Sequence, residues 1–335
     1  MIQKSLTVSA ILITVLFLSL TALAIWGGME FSKEGPLKSD KIIDISPGSS
    51  IAAIASELDR KGVIDNTFIF EMAARYLTKK TPLQAGEYLF HANISIKDVI
   101  SRLQKGDVYL HQITIPEGFT NYQIKRILES HKALSGKIHD MPPEGYLMPE
   151  TYFFHKGVER QKMVERMHQA KKDFLESLWD NSPKDLPIQT KHELVTLASI
   201  VEKETGLAKE RAKVAGVFIN RLQKNMRLQS DPTVIYALTA GVPEDKGKGP
   251  LGRRLLRKDL QFASPYNTYL YAGLPPGPIC NPGKGSLKAV INPVFHDYIY
   301  FVADGAGGHV FSKTLKEHNK NVVKWRKIRR LKSTP

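Results

Sequence analysis

Leu194-Val195-Thr196-Leu197-Ala198-Ser199-Ile200-Val201-Glu202-Lys203-Glu204-Thr205-Gly206 carries the most informative pattern in this chain of 335 residues. Thr190 and Glu193 have capping-box spacing and Gly206 is a natural residue just past a helix end. A helix of about four turns is predicted between them. On a wheel of about 100° per residue, Leu194, Leu197, Ala198, Thr205 and Ala208 cluster around Val201. Glu204 falls inside that stripe, Glu202 lies near its edge and Lys203 points outward. A glutamate on an apolar face is expensive to keep. Desolvation and the negative end of the helix both raise its pKa, favouring a carboxyl that is still protonated near neutrality. Such a group suits general acid catalysis on a glycosidic bond. A structural ion pair with Arg211 or Arg221 explains the same residue, and the stretch alone leaves both readings open.

Composition narrows the setting. Apolar residues make up 42% of the chain and charged residues 24%, which excludes disordered, collagen-like and disulfide-stapled proteins. The length suggests two domains, or one large domain with an attachment. Forty-eight Lys+Arg against 33 Asp+Glu leave a net charge of +15, which points to an anionic partner. The single cysteine, Cys280, precludes an internal disulfide and a Cys-based zinc site. The histidines show no metal-ligand spacing, and no Walker loop, His-Glu-x-x-His or Gly-x-Ser-x-Gly occurs.

Ser5 to Met29 holds no charged residue and is long enough to cross a bilayer as a helix. Ala22-Leu23-Ala24 has the form of a signal-peptide cleavage site, but the apolar run continues past it through Ile25, Trp26 and Met29. An uncleaved anchor is the expectation, with Lys4 on the cytoplasmic side and the bulk of the chain outside. That placement argues against a nucleic-acid partner. Residues 30–41 read as a polar spacer. A small α/β module is expected from Ile42, with a strand at Ile42-Ile43-Asp44-Ile45, a turn at Ser46-Pro47-Gly48 and a helix capped by Ser49 or Ser50. Ser95 and Thr120 cap similar helices, Thr120 with Gln123 in a capping box.

Further along, Glu144–Tyr152 mixes turn formers with aromatics, as a loop beside a cleft does, and Asn181–Pro187 reads as a linker. Gln229-Ser230-Asp231-Pro232 reads as a helix start, with Asp231 as N-cap, Pro232 at N1 and Gln229 free to face a cleft. Tyr266-Asn267-Thr268-Tyr269 has the composition of a sugar-binding loop, and Gly273-Leu274-Pro275-Pro276-Gly277 is rigid loop. From Lys313 to Pro335, nine basic residues face one acid, a net of +8, which suits a solvated basic helix or a contact with anionic lipid or wall polymer.

Together these stretches resemble the YceG-like family, the endolytic murein transglycosylases. The resemblance is carried by Leu197–Thr205, Val217-Phe218-Ile219-Asn220-Arg221-Leu222, Leu228–Tyr236, Tyr266–Tyr269 with Gly273–Gly277, and Tyr300–Gly305 with Gly308-His309. It implies that Glu204, the second Glu of the Glu-x-Glu pair, is catalytic. Glu202, Gln229, Asp231, Tyr266, Asn267 and Thr268 are the candidate substrate-binding residues. The implied reaction cleaves the β-1,4 bond between N-acetylmuramic acid and N-acetylglucosamine without water, leaving 1,6-anhydro ends, and requires no metal and no cofactor. The expected fold class is α+β. Residues 1–4 would be cytoplasmic, 5–29 a transmembrane anchor in the inner membrane, 42–108 a LysM-like module, 109–320 a catalytic domain in the periplasm and 321–335 a basic tail. Peptidoglycan strands are the expected substrate and peptidoglycan synthases the candidate protein partners. A non-catalytic wall-binding scaffold and a hydrolytic muramidase are the rival readings.

Overall fold

In the computed structural model, residues 2–79, 81–180, 183, 185–244 and 250–333 are described. Part of the linker expected over Asn181–Pro187 and the end of the basic tail lie outside them. The chain is mixed α+β and divides into two compact units, residues 1–111 with 153–156, and residues 112–152 with 157–335.

The first unit begins with α1 (Ile2–Ser32). Residues 10–32 have a mean hydropathy of 2.3 and no buried positions in the most apolar window, a helix long and apolar enough to cross a membrane. β1 (Lys41–Ile45), α2 (Ile51–Arg60), α3 (Thr67–Leu77), β2 (Gly86–Phe90) and α4 (Ile96–Lys105) follow. β1 and β2 pair antiparallel from Lys41↔Phe90 to Ile45↔Gly86, with both helices in the connection between them. Ile43 and Ile45 alternate inward and meet Tyr88 and Phe90. Leu58, Phe70, Val99 and Leu103 complete the core. Ser50 and Ser95 accept the N–H of Ala53 and Asp98, as their cap positions require. Gly106 closes α4 in the left-handed region at φ 65°.

The expected spacer over 30–41 is packed instead. α1 continues through Glu30, Phe31 and Ser32, and Phe31 lies against the core with Leu37, which is buried. Gly35 N–H donates to Asn93 O at 3.2 Å, and Asn93 N–H donates to Leu37 O at 2.8 Å. A Cβ on Gly35 would lie 2.2 Å from Ile94 O, so only glycine allows this approach. Apolar Phe31 and Leu37, hidden among charged neighbours in the sequence, drive the packing.

The second unit is mostly helical. β3 (His111–Thr114) pairs with β4 (Thr151–Phe154) where the chain passes from one unit to the other, and within the second unit α5 (Asn121–Ser130), α6 (Arg160–Trp179) and α7 (Lys191–Glu204) are joined by loops. After a short 3-10 turn at Ala208–Glu210 come α8 (Arg211–Gln223), α9 (Asp231–Thr239) and α10 (Lys284–Ile291). The antiparallel ribbon of β5 (Tyr300–Ala303) and β6 (His309–Ser312) supports α11 (Leu315–Ser333). Thr190 and Glu193 form the expected capping box on α7. The single apolar stripe drawn on the wheel is not what the helix uses. Every residue from Leu194 to Val201 is buried, because α8, α9 and α10 pack around it. Its two polar members remain satisfied: Thr196 Oγ1 donates to His192 O at 2.8 Å and Ser199 Oγ to Thr196 O at 2.7 Å.

Glu144–Tyr152, expected beside a cleft, is instead knitted into the interior, with Leu147 and Met148 fully buried. Asn281 is the knot. Its Oδ1 accepts Leu147 N–H at 2.8 Å, and its Nδ2 donates to Phe119 O, Asn121 Oδ1 and Glu144 Oε1. Burial of the Glu144 carboxyl pushes its pKa up to about 7, against the pull of N–H donors from Asn121, Gly145 and Asn281. Asn281→Ala strands the buried Leu147 N–H and takes the donor from Asn121 Oδ1, and is expected to cost about 3 kcal/mol. A downward shift of the urea midpoint at unchanged slope measures it, and a loss below about 1 kcal/mol would show that other groups hold the loop.

Candidate active site

Glu204 is the last residue of α7. The helix does not end through a left-handed glycine: Thr205 turns extended at φ −142° and ψ 128°, and Gly206 is not in the positive-φ region. Thr205 Oγ1 then accepts Leu207 N–H at 3.1 Å, which holds the exit. The side chain of Thr205 is buried, so tertiary packing sets the direction that Gly206 was expected to set.

The Glu204 carboxyl opens into a cleft of about 410 Å³ lined also by Arg221, Gln229, Asp231, Tyr269, Tyr300 and His318. Ser230 Oγ donates to Glu204 Oε1 at 2.5 Å. Oε2 has no hydrogen-bond partner among the described residues. Burial pushes the carboxyl up to about 7. The Ser230 hydroxyl and the charges of His309 and Arg221 pull it down, and the Asp231 charge pushes it further up. The structural alternative for Glu204, a salt bridge to Arg221 or Arg211, does not form. The Arg221 guanidinium donates to Ile299 O at 2.7 Å and to Leu228 O at 2.5 Å, and sits over the Tyr300 ring at 5.5 Å. Arg211 goes to Glu202, at 3.3 Å.

Glu202 therefore does not line the cleft. Its carboxylate accepts Gly283 N–H at 2.9 Å as well as Arg211, which also bridges to Glu117 at 3.0 Å. Two residues along a helix rotate a side chain by about 200°, which sends the paired glutamates to opposite environments.

Gln229 takes a left-handed conformation at φ 50°, which a side chain adopts only under constraint. Its N–H donates to Thr268 O at 3.1 Å, and the residue lines the cleft. Asp231 is the first residue of α9, while the N-cap position belongs to Ser230, whose hydroxyl is committed to Glu204. Asp231 instead accepts Tyr269 Oη–H at 2.6 Å at the cleft wall. Asn267 and Thr268, expected on the substrate, are buried. Asn267 Nδ2 donates to Leu260 O and Phe262 O, and Oδ1 accepts Tyr269 N–H. Thr268 Oγ1 accepts Ser230 N–H at 3.0 Å and lies 2.8 Å from Thr233 Oγ1. Both shape the loop beneath the cleft rather than line it. Tyr266 packs on Tyr236, ring centres 4.9 Å apart, and is not in the cleft wall.

Tyr300 and His318, which no local pattern marks, also line the cleft, as does Tyr269 from the loop expected to bind sugar, and Ser230 lies buried behind Glu204. His318 stacks on Tyr300 at 5.2 Å, and its buried Nδ1 has no hydrogen-bond partner among the described residues.

A family model described as the YceG-like family matches residues 43–324. The chain belongs to the YceG-like family. This YceG-like chain is 36% identical over 315 residues to an endolytic murein transglycosylase of Bacillus subtilis, with 84% of each chain covered. It is 30% identical to an endolytic murein transglycosylase of Streptococcus pneumoniae, and spans 57% of that longer protein. A crystal structure of a YceG-like protein from Listeria monocytogenes superposes with a TM-score of 0.51 at 34% identity, covering 84% of this chain and 99% of that one.

Because Glu204 holds its proton longer folded than unfolded, stability falls as pH rises from about 4.5 to about 7. Glu204→Gln removes that penalty. The variant is expected to be more stable than the parent chain at pH 8, by up to about 3 kcal/mol, and equal to it below pH 4. Parallel urea titrations at the two pH values measure this. An equal difference at both would mean that Glu204 titrates normally.

Proposed function

We propose that the chain is a peptidoglycan lytic transglycosylase with Glu204 as its general acid and base. The observation that carries the reading is a carboxyl at the end of a buried helix, open to a cleft and protonated near neutral pH. The names of the relatives supply the substrate class, a murein glycan strand. With Ser230 donating to Oε1, the proton of the neutral acid belongs on Oε2, the oxygen free to meet the glycosidic oxygen.

In the proposed reaction Glu204 Oε2–H protonates the bridging oxygen as the bond from muramyl C1 breaks and positive charge develops on the sugar. The 6-hydroxyl of the same sugar then attacks C1 and gives its proton to the Glu204 carboxylate. One C–O bond breaks, one forms, the acid is regenerated and no water is consumed. A single carboxyl serves both steps because the substrate carries its own nucleophile. Gln229 and Asp231 with Tyr269 are placed to hold sugars, while Asn267 and Thr268 act as positioning residues beneath Gln229 and Ser230. Tyr266 and Glu202, outside the cleft wall, are assigned structural roles.

The finer parts of the reading rest on the first unit. The strand–helix–helix–strand order of β1, α2, α3 and β2, closed by an antiparallel pair, suits a LysM-like module that binds N-acetyl sugar chains. The exposed apolar surface of α1 suits a membrane anchor that places the catalytic unit on the outer, periplasmic side of the inner membrane. There it would cut nascent strands and end their elongation, beside the peptidoglycan synthases that make them.

Glycan strands incubated with the detergent-solubilised chain and weighed by mass spectrometry test the reaction. Anhydromuramyl ends are the expected product. Ends heavier by one water would mean a muramidase, and uncut strands that stay bound would mean a scaffold. Glu204→Gln should lower the rate by at least about a thousandfold with the fold retained. The rate of the parent enzyme should peak near pH 7 and fall on the alkaline side, where Glu204 loses the proton that it must donate. An alkaline limb near pH 4 would remove Glu204 as the donor.

A further inference from the structure

The Glu204 cleft continues along α11. Leu315 and Asn319 line both that cleft and a shallow trough, open to solvent, on the surface of α11 alone, completed by Lys316, Lys320 and Val323. On a helix these positions share one face, at spacings of three and four. The opposite face, with His318 and Asn321, is occupied by the β5–β6 ribbon: His318 stacks on Tyr300, and Asn321 Nδ2 donates to Ser312 Oγ at 3.0 Å. The trough is therefore held in place at the mouth of the site.

Its charge is uncompensated. Neither Lys316 nor Lys320 forms an ion pair among the described residues. The nearest acid in sequence, Glu317, is engaged by the start of the helix, accepting Lys313 N–H at 3.0 Å and Thr314 N–H at 3.2 Å. Apolar surfaces flank the cations along the helix, Leu315 at 55% and Val323 at 65% exposure. Two ammonium groups beside short apolar patches are poorly matched to a neutral sugar ring. They match a chain that carries carboxylates and small alkyl side chains. In a peptidoglycan strand that chain is the peptide stem attached to each muramyl residue, one ether linkage away from the sugar being cut.

Resting on the function proposed above, we infer that the trough along α11 seats the carboxylate-bearing peptide stem of the strand whose sugar lies at Glu204, and so selects peptide-substituted over bare glycan. The stem would lay its carboxylates across Lys316 and Lys320 and its methyl groups on Leu315 and Val323, with the Asn319 amide at the junction with the cleft.

The test uses the full chain in neutral detergent carrying Glu204→Gln, which binds without turnover. Calorimetric titrations compare peptide-bearing strands with strands of equal length whose stems an amidase has removed. The peptide-bearing strand is expected to bind about tenfold tighter. Lys316→Ala with Lys320→Ala should abolish that preference while leaving the affinity for bare strands unchanged, and the double change to Arg should restore it. No preference in the first protein, or an equal loss on both strands, would overturn the inference. So would a preference that survives the double change while binding to phosphatidylglycerol vesicles is lost, which would assign these lysines to a lipid surface. Because the readout is binding, failure of the parent enzyme to cut either strand would defeat the proposed function and leave the role of the trough to be decided separately.

Discussion

A carboxyl group at the end of a helix that is buried on every side is the constraint on which the rest of this structure depends. α7 is buried from Leu194 to Val201, and its last turn delivers Glu204 to the cleft. The surrounding helices strip water from the carboxyl, and the helix end adds negative partial charge. Compensation is kept small. One hydroxyl, from Ser230, meets one carboxyl oxygen, and Arg221 is held nearby by backbone carbonyls and not by the acid. A direct salt bridge would have stabilised the ionised form and removed the proton that the proposed chemistry uses.

The neighbouring glutamate shows the opposite solution. Glu202 is bound by Arg211 and the Gly283 N–H, and shares the arginine Nη2 with Glu117. Its burial is matched by a positive charge and a backbone donor, as a structural carboxylate requires. Two acids of one type, two residues apart, thus have separate roles because helical geometry sends them to different surroundings.

Around Glu204 the structure uses a layered loop. Asn267 gathers the carbonyls of Leu260 and Phe262, Thr268 holds the backbone of Gln229 and Ser230, and those two residues meet the cleft and the acid. Strain at Gln229, in the left-handed region, is sustained by this support. The side chains of Asn267 and Thr268 are consumed within the loop, and Tyr269, Tyr300 and His318 join Gln229 and Asp231 in facing the cleft.

Local rules decided much that could be read from the amino-acid order. Capping spacing located the starts of α2, α4, α5 and α7, the uncharged run marked the apolar helix at the N-terminus, and the position of Glu204 relative to its apolar neighbours marked it as a buried acid. These features depend on residues within a few positions of one another, and the spacing is visible in the chain. Tertiary structure alone decided which residues face the cleft. Asn267 and Thr268 look like ligand contacts by composition, yet their partners lie at Leu260, Phe262, Gln229 and Ser230, and only folding shows those hydrogen bonds to be already made. Gly206 offered a left-handed helix end, but packing of Thr205 turned the chain one residue earlier. Leu37 and Phe31, scattered among charges, became core because a neighbouring surface needed covering. Helix ends and spans follow from short-range geometry, whereas exposure depends on every element that packs against a residue, and no local pattern contains that sum.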